Sequence, residues 1–230
     1  LRKITMNPDK KNIVLTIAAH PDDEVLGCGA TMAKHSARGD LVYVLLIADG
    51  ETSREEYHNL NRNAQADAAA EILGIEKVFS LNLPDQRLDT LALLDIVKKI
   101  EAVIDEIKPN IIYTHFANDL NLDHRIVNRA VLIACRPLPE SLISAIFTFE
   151  IQSSTEWSGN DEAAFKPNHI VDVSGFMEKK SEALHAYSSE MRDFPHSRSY
   201  EALEYLAKLR GAQAGVQAAE CFQIERQFWR

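Results

Sequence analysis

The stretch IVLTIAAHPDDE, residues 13–24, decides how the rest of the chain is read. Ile13 to Ala19 has the apolar, β-branched character of a strand buried on both faces of a parallel sheet. His20-Pro21-Asp22-Asp23-Glu24 then sets four ionisable side chains within five positions. Such a density of charge beside a core is costly unless something compensates it. A divalent metal would compensate it. The stretch therefore reads as an active site at the carboxyl end of a central strand.

The bulk composition is compatible with that reading. The chain has 230 residues, 46% hydrophobic and 26% charged, which fits one globular domain spanning 1–230 with a large core. The net charge of −9 argues against nucleic acid or an anionic membrane as the main partner, and a homo-oligomer stays open. Cys28, Cys135 and Cys221 are odd in number and widely spaced, which speaks against a disulfide framework or a Cys-rich zinc site. No signal-peptide pattern and no apolar run of membrane-spanning length is seen, so a cytoplasmic protein without membrane insertion is expected.

Outward from residue 24 the first two-thirds of the chain alternates. Gly27–Arg38 reads as a helix, Leu41–Ala48 as a strand, Arg54–Leu73 as an Ala-rich helix stopped by Gly74, and Lys77–Leu81 as a short strand. Asp89–Ile107 reads as an amphipathic helix, Asn110–Thr114 as a strand, Asp123–Cys135 as a helix and Ala145–Ile151 as a strand. Alternation of this kind predicts an α/β fold: a Rossmann-like, mostly parallel sheet with helices on both faces, over about 10–151. Residues 152–230 are expected to form a C-terminal helical cap, with helices over Ser174–Ser188 and Ser199–Ala214 and a short strand over Asn168–Val173. Sites in such sheets lie outside the carboxyl ends of strands. HPDDE, ADGETSR and THFANDLNLDH each follow an apolar strand, so all three should open on one edge.

Zinc is bound by imidazole and carboxylate, and a catalytic zinc keeps a position open for water. His20 and Asp23 supply two ligands from one turn, and His124 in Asn121-Leu122-Asp123-His124 is the best third. Asp22 is then left off the metal, where its carboxylate would act as general base toward water. The bland alternative is a turn followed by a helix whose N-cap is Asp22 or Asp23.

Ala19-His20-Pro21-Asp22-Asp23-Glu24 followed by Val25-Leu26-Gly27-Cys28-Gly29 resembles the signature of the PIG-L/LmbE-like family of zinc-dependent N-deacetylases. Asp119–His124 resembles that family's second motif, Asp-x-His-x-Asp-His. Lys180…Ala183-Leu184…Tyr187-Ser188, His196-Ser197-Arg198-Ser199 and Arg210-Gly211 resemble its carboxyl-terminal features. The resemblance implies a Rossmann-like fold and removal of an acetyl group from an N-acetylated amino sugar or conjugate, including a nucleotide-linked sugar. It implies His20, Asp23 and His124 as ligands of one Zn2+ (another divalent metal being the alternative), and Asp22 as the base. Asn121 stands where many members carry the motif's first His. Asn donates a hydrogen bond to an oxyanion but delivers no proton. Either Asp22 performs all the proton transfer, or His115 or His196 takes part, although His115 reads better as a hydrogen-bonded residue at a strand end.

Other residues carry two readings each. Asp123 orients a ligand imidazole or caps a helix. Asp119 binds a substrate hydroxyl or holds its loop, and Glu24 is a supporting group. Arg54 clamps the substrate or is a solvated first-turn residue, with Arg198 and Arg210 similar. Trp157 stacks on a ring or is simply packed. Competing functions are a single-metal hydrolase of another bond, such as a phosphoester of a sugar-like substrate, and a non-catalytic Rossmann-like binding protein. A dinucleotide module fares worse: Gly27-Cys28-Gly29 is followed by Met32 where the third glycine belongs, so these glycines read as helix-on-sheet packing.

Overall fold

The structure, a computed structural model, describes residues 11–53, 61–159 and 163–228. Strands and helices alternate through β1 (Ile13–Ala18), α1 (Asp23–Ala37), β2 (Leu41–Ala48), α2 (Arg62–Leu73), β3 (Lys77–Leu83), α3 (Leu93–Ile107), β4 (Ile111–His115), α4 (Leu122–Ala134) and β5 (Ala145–Phe149). The tail adds β6 (His169–Asp172), α5 (Met177–Ala186), α6 (Tyr200–Ala214) and β7 (Ala219–Gln227). All the described strands form one sheet in the order β3-β2-β1-β4-β5-β7-β6. The first five strands are parallel, and β7 and β6 close the edge antiparallel.

Burial on both faces explains the apolar runs. Along β1, Val14 and Ala18 join the core beneath α1, α2 and α5, while Leu15 and Ile17 join the core beneath α3 and α4. Helix α3 buries Ile96, Val97, Ile100 and Val103, a stripe at helical spacing. The order in which strands are added reverses between β1 and β4, which places the loops after those two strands on either side of a crevice.

The α/β architecture agrees with the sequence reading, with three differences. Helix α1 begins at Asp23 rather than Gly27, so two of the acidic residues of HPDDE are already helical. The helix read from Arg54 is described from Arg62 onward, and residues 54–60, Arg54 among them, lie outside the described residues. The tail is more than a helical cap, because β7 inserts between β5 and β6. Glu220, Gln223, Glu225 and Arg226 deny β7 an apolar run, and pairing on both sides makes it a strand despite its composition.

Gly27 and Gly29 serve packing. A Cβ at Gly27 would lie within 3.0 Å of carbons of the Phe149 ring on β5, and one at Gly29 would meet Lys180 Cγ at 3.3 Å. Lys180 then donates to the Leu26 carbonyl and to Glu220, whose carboxylate accepts from the Ala30 and Thr31 amides. An overpacked core loses about 1–3 kcal/mol. Gly27→Ala is expected to lower the urea midpoint by that measure with an unchanged m-value. Gly159→Ala, whose added carbon would meet nothing within 4 Å among the described residues, is expected to leave the midpoint in place.

Candidate active site

The chain leaves β1 at His20 and turns sharply. Asp22 has φ of +118°, a region unfavourable for a residue with a side chain and met mostly where function over-determines the backbone. Asp22 occupies the N-cap position of α1 but makes no side-chain cap bond. Its carboxylate instead meets Arg198 Nη1 at 3.2 Å and Arg62 Nη2 at 3.8 Å. Asp23 opens the helix and folds back, its Oδ2 accepting the His20 backbone amide at 3.0 Å. The same oxygen lies 3.0 Å from His20 Nδ1 and 3.1 Å from His124 Nε2. His124 reaches it from the first turn of α4, across the crevice between β1 and β4.

Each imidazole has a carboxylate on its far nitrogen. His124 Nδ1 is 3.0 Å from Asp119 Oδ1, and His20 Nε2 is 3.3 Å from Asp123 Oδ2 and 3.2 Å from Asp85 Oδ1. Asp119 also accepts from Ser154, Thr155 and the Asn121 amide. Two imidazole nitrogens and a carboxylate oxygen, all within 4.8 Å of one another and buried, are the donor set of a borderline divalent ion such as zinc. The residues therefore fit a single metal held by His20, Asp23 and His124.

Electrostatics points the same way. Burial alone would strip the imidazoles of charge, yet the surrounding carboxylates outweigh it and raise His20 to about 10 and His124 to about 9. The pocket is thus built to hold positive charge. Asp22 is pushed up to about 6 by burial, helped by Asp23 and Glu190 and opposed by Arg198 and Arg62. Burial also lifts Glu24, to about 7, while its Oε1 accepts from Tyr187 at 2.7 Å and its Oε2 from the Asp22 amide. For Asp119 the hydrogen bonds from His124, Ser154 and Thr155 overcome burial and hold the carboxyl down at about 2.

A family model described as PIG-L, GlcNAc-PI de-N-acetylase, matches residues 15–135, which include both strand-end motifs. This chain belongs to the PIG-L family. It is 30% identical over 223 residues to the diacetylchitobiose deacetylase of Thermococcus kodakarensis, covering 90% of this chain and 80% of that one. Its fold matches the conserved protein TT1542 from Thermus thermophilus with a TM-score of 0.76, at 24% identity over 95% of this chain and 97% of that one. It also matches GalB, the 4-carboxy-2-hydroxymuconate hydratase of Pseudomonas putida KT2440, with a TM-score of 0.73 at 23% identity over 95% and 97% of the two chains. GalB is named a hydratase and the Thermococcus relative a deacetylase, so the fold alone does not choose a reaction and the residues of the site must.

Within this PIG-L fold, the cleft is lined by His20, Asp22, Asp23, His124, Asn121 and Arg198, drawn together from the sequence-predicted set. Arg198 Nε also donates to Ser153 Oγ at 3.0 Å. Asn121 caps α4, its Oδ1 accepting from the Asp123 amide at 2.9 Å. Asp119 sits behind the cleft and holds its loop and His124. His196 lies outside the lining, with Nδ1 accepting the Arg198 amide and its ring edge-on to the half-exposed Trp157. His115 is fully buried and stacks on His124 at 3.9 Å, with Nε2 accepting the Ala19 amide, so it supports a neighbouring ring. Arg210 is taken up by Glu150.

Sequence reading passes over Arg62, Asp85, Gln86, Ser153, Ser154 and Glu190, all of which line the cleft. The first two are accessible in principle. Asp85 follows β3 on the same sheet edge, and its loop is missed because the sequence pattern ends that strand at Leu81 where the structure carries it to Leu83. Arg62 lies in the first turn of α2, where a cation is usually solvated. Here it is 2% exposed, bonded to the Pro21 carbonyl, 3.2 Å from Glu190 and over the Tyr187 ring. Breaking a buried pair costs about 3–5 kcal/mol. Arg62→Met is expected to lose stability on that scale in chemical denaturation, whereas Lys77→Met, from an exposed pair with Glu106, should change it by less than about 1 kcal/mol.

Proposed function

We propose that this chain is a zinc-dependent deacetylase that hydrolyses the acetamide of a small N-acetylated amino sugar or sugar conjugate. The observation that carries the reading is one cleft holding a His-Asp-His donor set and, beside it, a carboxylate engaged by two arginines rather than by the donor set. The PIG-L membership and the named activity of the Thermococcus relative support the choice of an acetamide over another bond.

When bound at His20, Asp23 and His124, zinc would act as a Lewis acid on the acetyl carbonyl and lower the pKa of a water to about 7. Asp22 accepts a proton from the attacking water as the water oxygen bonds to the carbonyl carbon. Arg198 and Arg62 keep the Asp22 carboxylate ionised and fix its direction. Asn121 is oriented by its own cap: because Oδ1 takes the Asp123 amide, Nδ2 is left as the donor for the developing oxyanion. Asp22 then passes its proton to the amine nitrogen, the C–N bond breaks, and acetate and a free amine depart. Because His115 and His196 do not face the cleft, Asp22 carries both proton transfers. Ser153 and Arg198 come from the tail and His20 and His124 from the core, which supports reading 1–230 as one working domain. No helix among the described residues is long and apolar enough to cross a membrane.

Acetate or free-amine release should be measured over N-acetylated mono- and disaccharides and nucleotide sugars, with zinc and with chelator. Release abolished by chelator and restored by zinc is expected, and no release from any substrate would sink the reading. Asp22→Asn should bind metal as the wild type does and lose about 10²–10⁴-fold in kcat, and His124→Ala should lose the metal itself. Asn121→Asp keeps the cap and removes the donor. It should lower kcat about 10²-fold or more with KM little changed, by analogy with loss of an oxyanion donor; an unchanged kcat would remove Asn121 from the chemistry.

A further inference from the structure

We infer that Asp85 is a positioning residue for the metal: with Asp123 it takes the Nε2–H of His20 and so commits Nδ1 of that ring to the ion. The inference rests on the metal-dependent reading above. Among the described residues two sets have donor atoms close enough for an ion, His20/Asp23/His124 and His20/Asp85/Asp123. They share one imidazole. A neutral imidazole has one lone pair to give, and its other nitrogen carries the proton. The two sets are therefore not two metal sites side by side. One is the ligand set and the other the hydrogen-bond set.

The surroundings decide which is which. The oxygens of Asp85 and Asp123 that do not face His20 are already occupied. Asp85 Oδ2 accepts from Ser53 Oγ, and Asp123 Oδ1 accepts from the Leu88 amide at 3.2 Å. The Asp85 amide is tied in turn to Thr52 Oγ1 at 2.8 Å. Each carboxylate is thus held by one oxygen and presents the other to Nε2, as an outer partner of a ligand imidazole does. The Gln86 side-chain amide also lies there, its Nε2 3.3 Å from His20 Nε2 and 3.5 Å from Asp85 Oδ1, and two carboxylate oxygens against that one amide favour a proton on the ring nitrogen. The Nδ1 side instead brings a second imidazole onto the same Asp23 oxygen. His124 repeats the arrangement in mirror fashion, with Nε2 toward Asp23 and Nδ1 on Asp119. Asp123 approaches His20 from the β4 side and Asp85 from the β3 side, so the ring is gripped from both flanks of β1. Through Thr52 and Ser53, the loop after β2 sets the position of Asp85.

The test is competition of the chelator-stripped chain against a chromophoric chelator for zinc, with wild type, Asp85→Ala and the isosteric Asp85→Asn. It is paired with ¹⁵N NMR of the imidazoles in the zinc-loaded wild type, and circular dichroism reports whether each variant is folded. The wild type should bind one zinc per chain, with His20 metallated at Nδ1 and protonated at Nε2. Asp85→Ala should bind about 10–100-fold more weakly. Asp85→Asn should fall between, because its amide oxygen still accepts from Nε2–H. Affinity equal to wild type in both variants would overturn the inference while leaving the metal-dependent reading intact. So would metallation at Nε2, or a second zinc that Asp85→Ala abolishes. A wild type that binds no zinc removes the metal-dependent reading, and the inference with it.

Discussion

Everything at the sheet edge answers to one electrostatic constraint: a cluster of buried carboxylates is gathered at the end of β1 with too few fixed cations among the described residues to balance it. Asp22, Asp23, Asp85, Asp119, Asp123 and Glu190 surround the cleft, against Arg62 and Arg198. Isolated buried carboxylates would neutralise or would not be buried at all. Protein donors can satisfy individual oxygens, and they do so here through Ser53, Ser154, Thr155 and the Leu88 and Asn121 amides. They leave a focus at Asp23, where two imidazoles converge on one oxygen.

The tail is where the constraint is managed. Arg198 reaches Asp22, Tyr187 reaches Glu24, and Glu190 pairs with Arg62. Lys180 and Glu220 together bind the backbone of α1 around Leu26, Ala30 and Thr31, with Gly29 making room for the lysine stem. Helix α1, whose first turn carries Asp23, is therefore fixed by groups more than 150 residues later in the chain. A loosened tail would tilt the Asp23-bearing turn as well as expose the cleft.

The periodic features are legible in the sequence for physical reasons. Strands buried on both faces must be apolar throughout, so β1 and β2 announce themselves, and α3 shows its single buried stripe. HPDDE is legible because that much charge next to such a strand needs an explanation. What escapes depends on non-local pairing. β7 is polar in composition and becomes a strand only between β5 and β6. Arg62 looks like any first-turn cation until Tyr187 and Glu190 fold over it. His196 and His115 are both eligible for the cleft by sequence, and only three-dimensional placement turns one to Trp157 and the other under His124.

Asn121 links the α4 side of the cleft to its His20 side through Asp123. A histidine at that position would need its own partner to fix its tautomer, and Asp119 and Asp123, each two residues away, are the nearest carboxylates in sequence. Asparagine makes no such demand. Its oxygen is spent on the Asp123 amide and its orientation is set by that bond alone. The Asp123 carboxylate is then released to His20 and the Leu88 amide. The amide at position 121 thus supplies no proton, and the carboxylate two residues on is committed to His20, where Asp85 meets it.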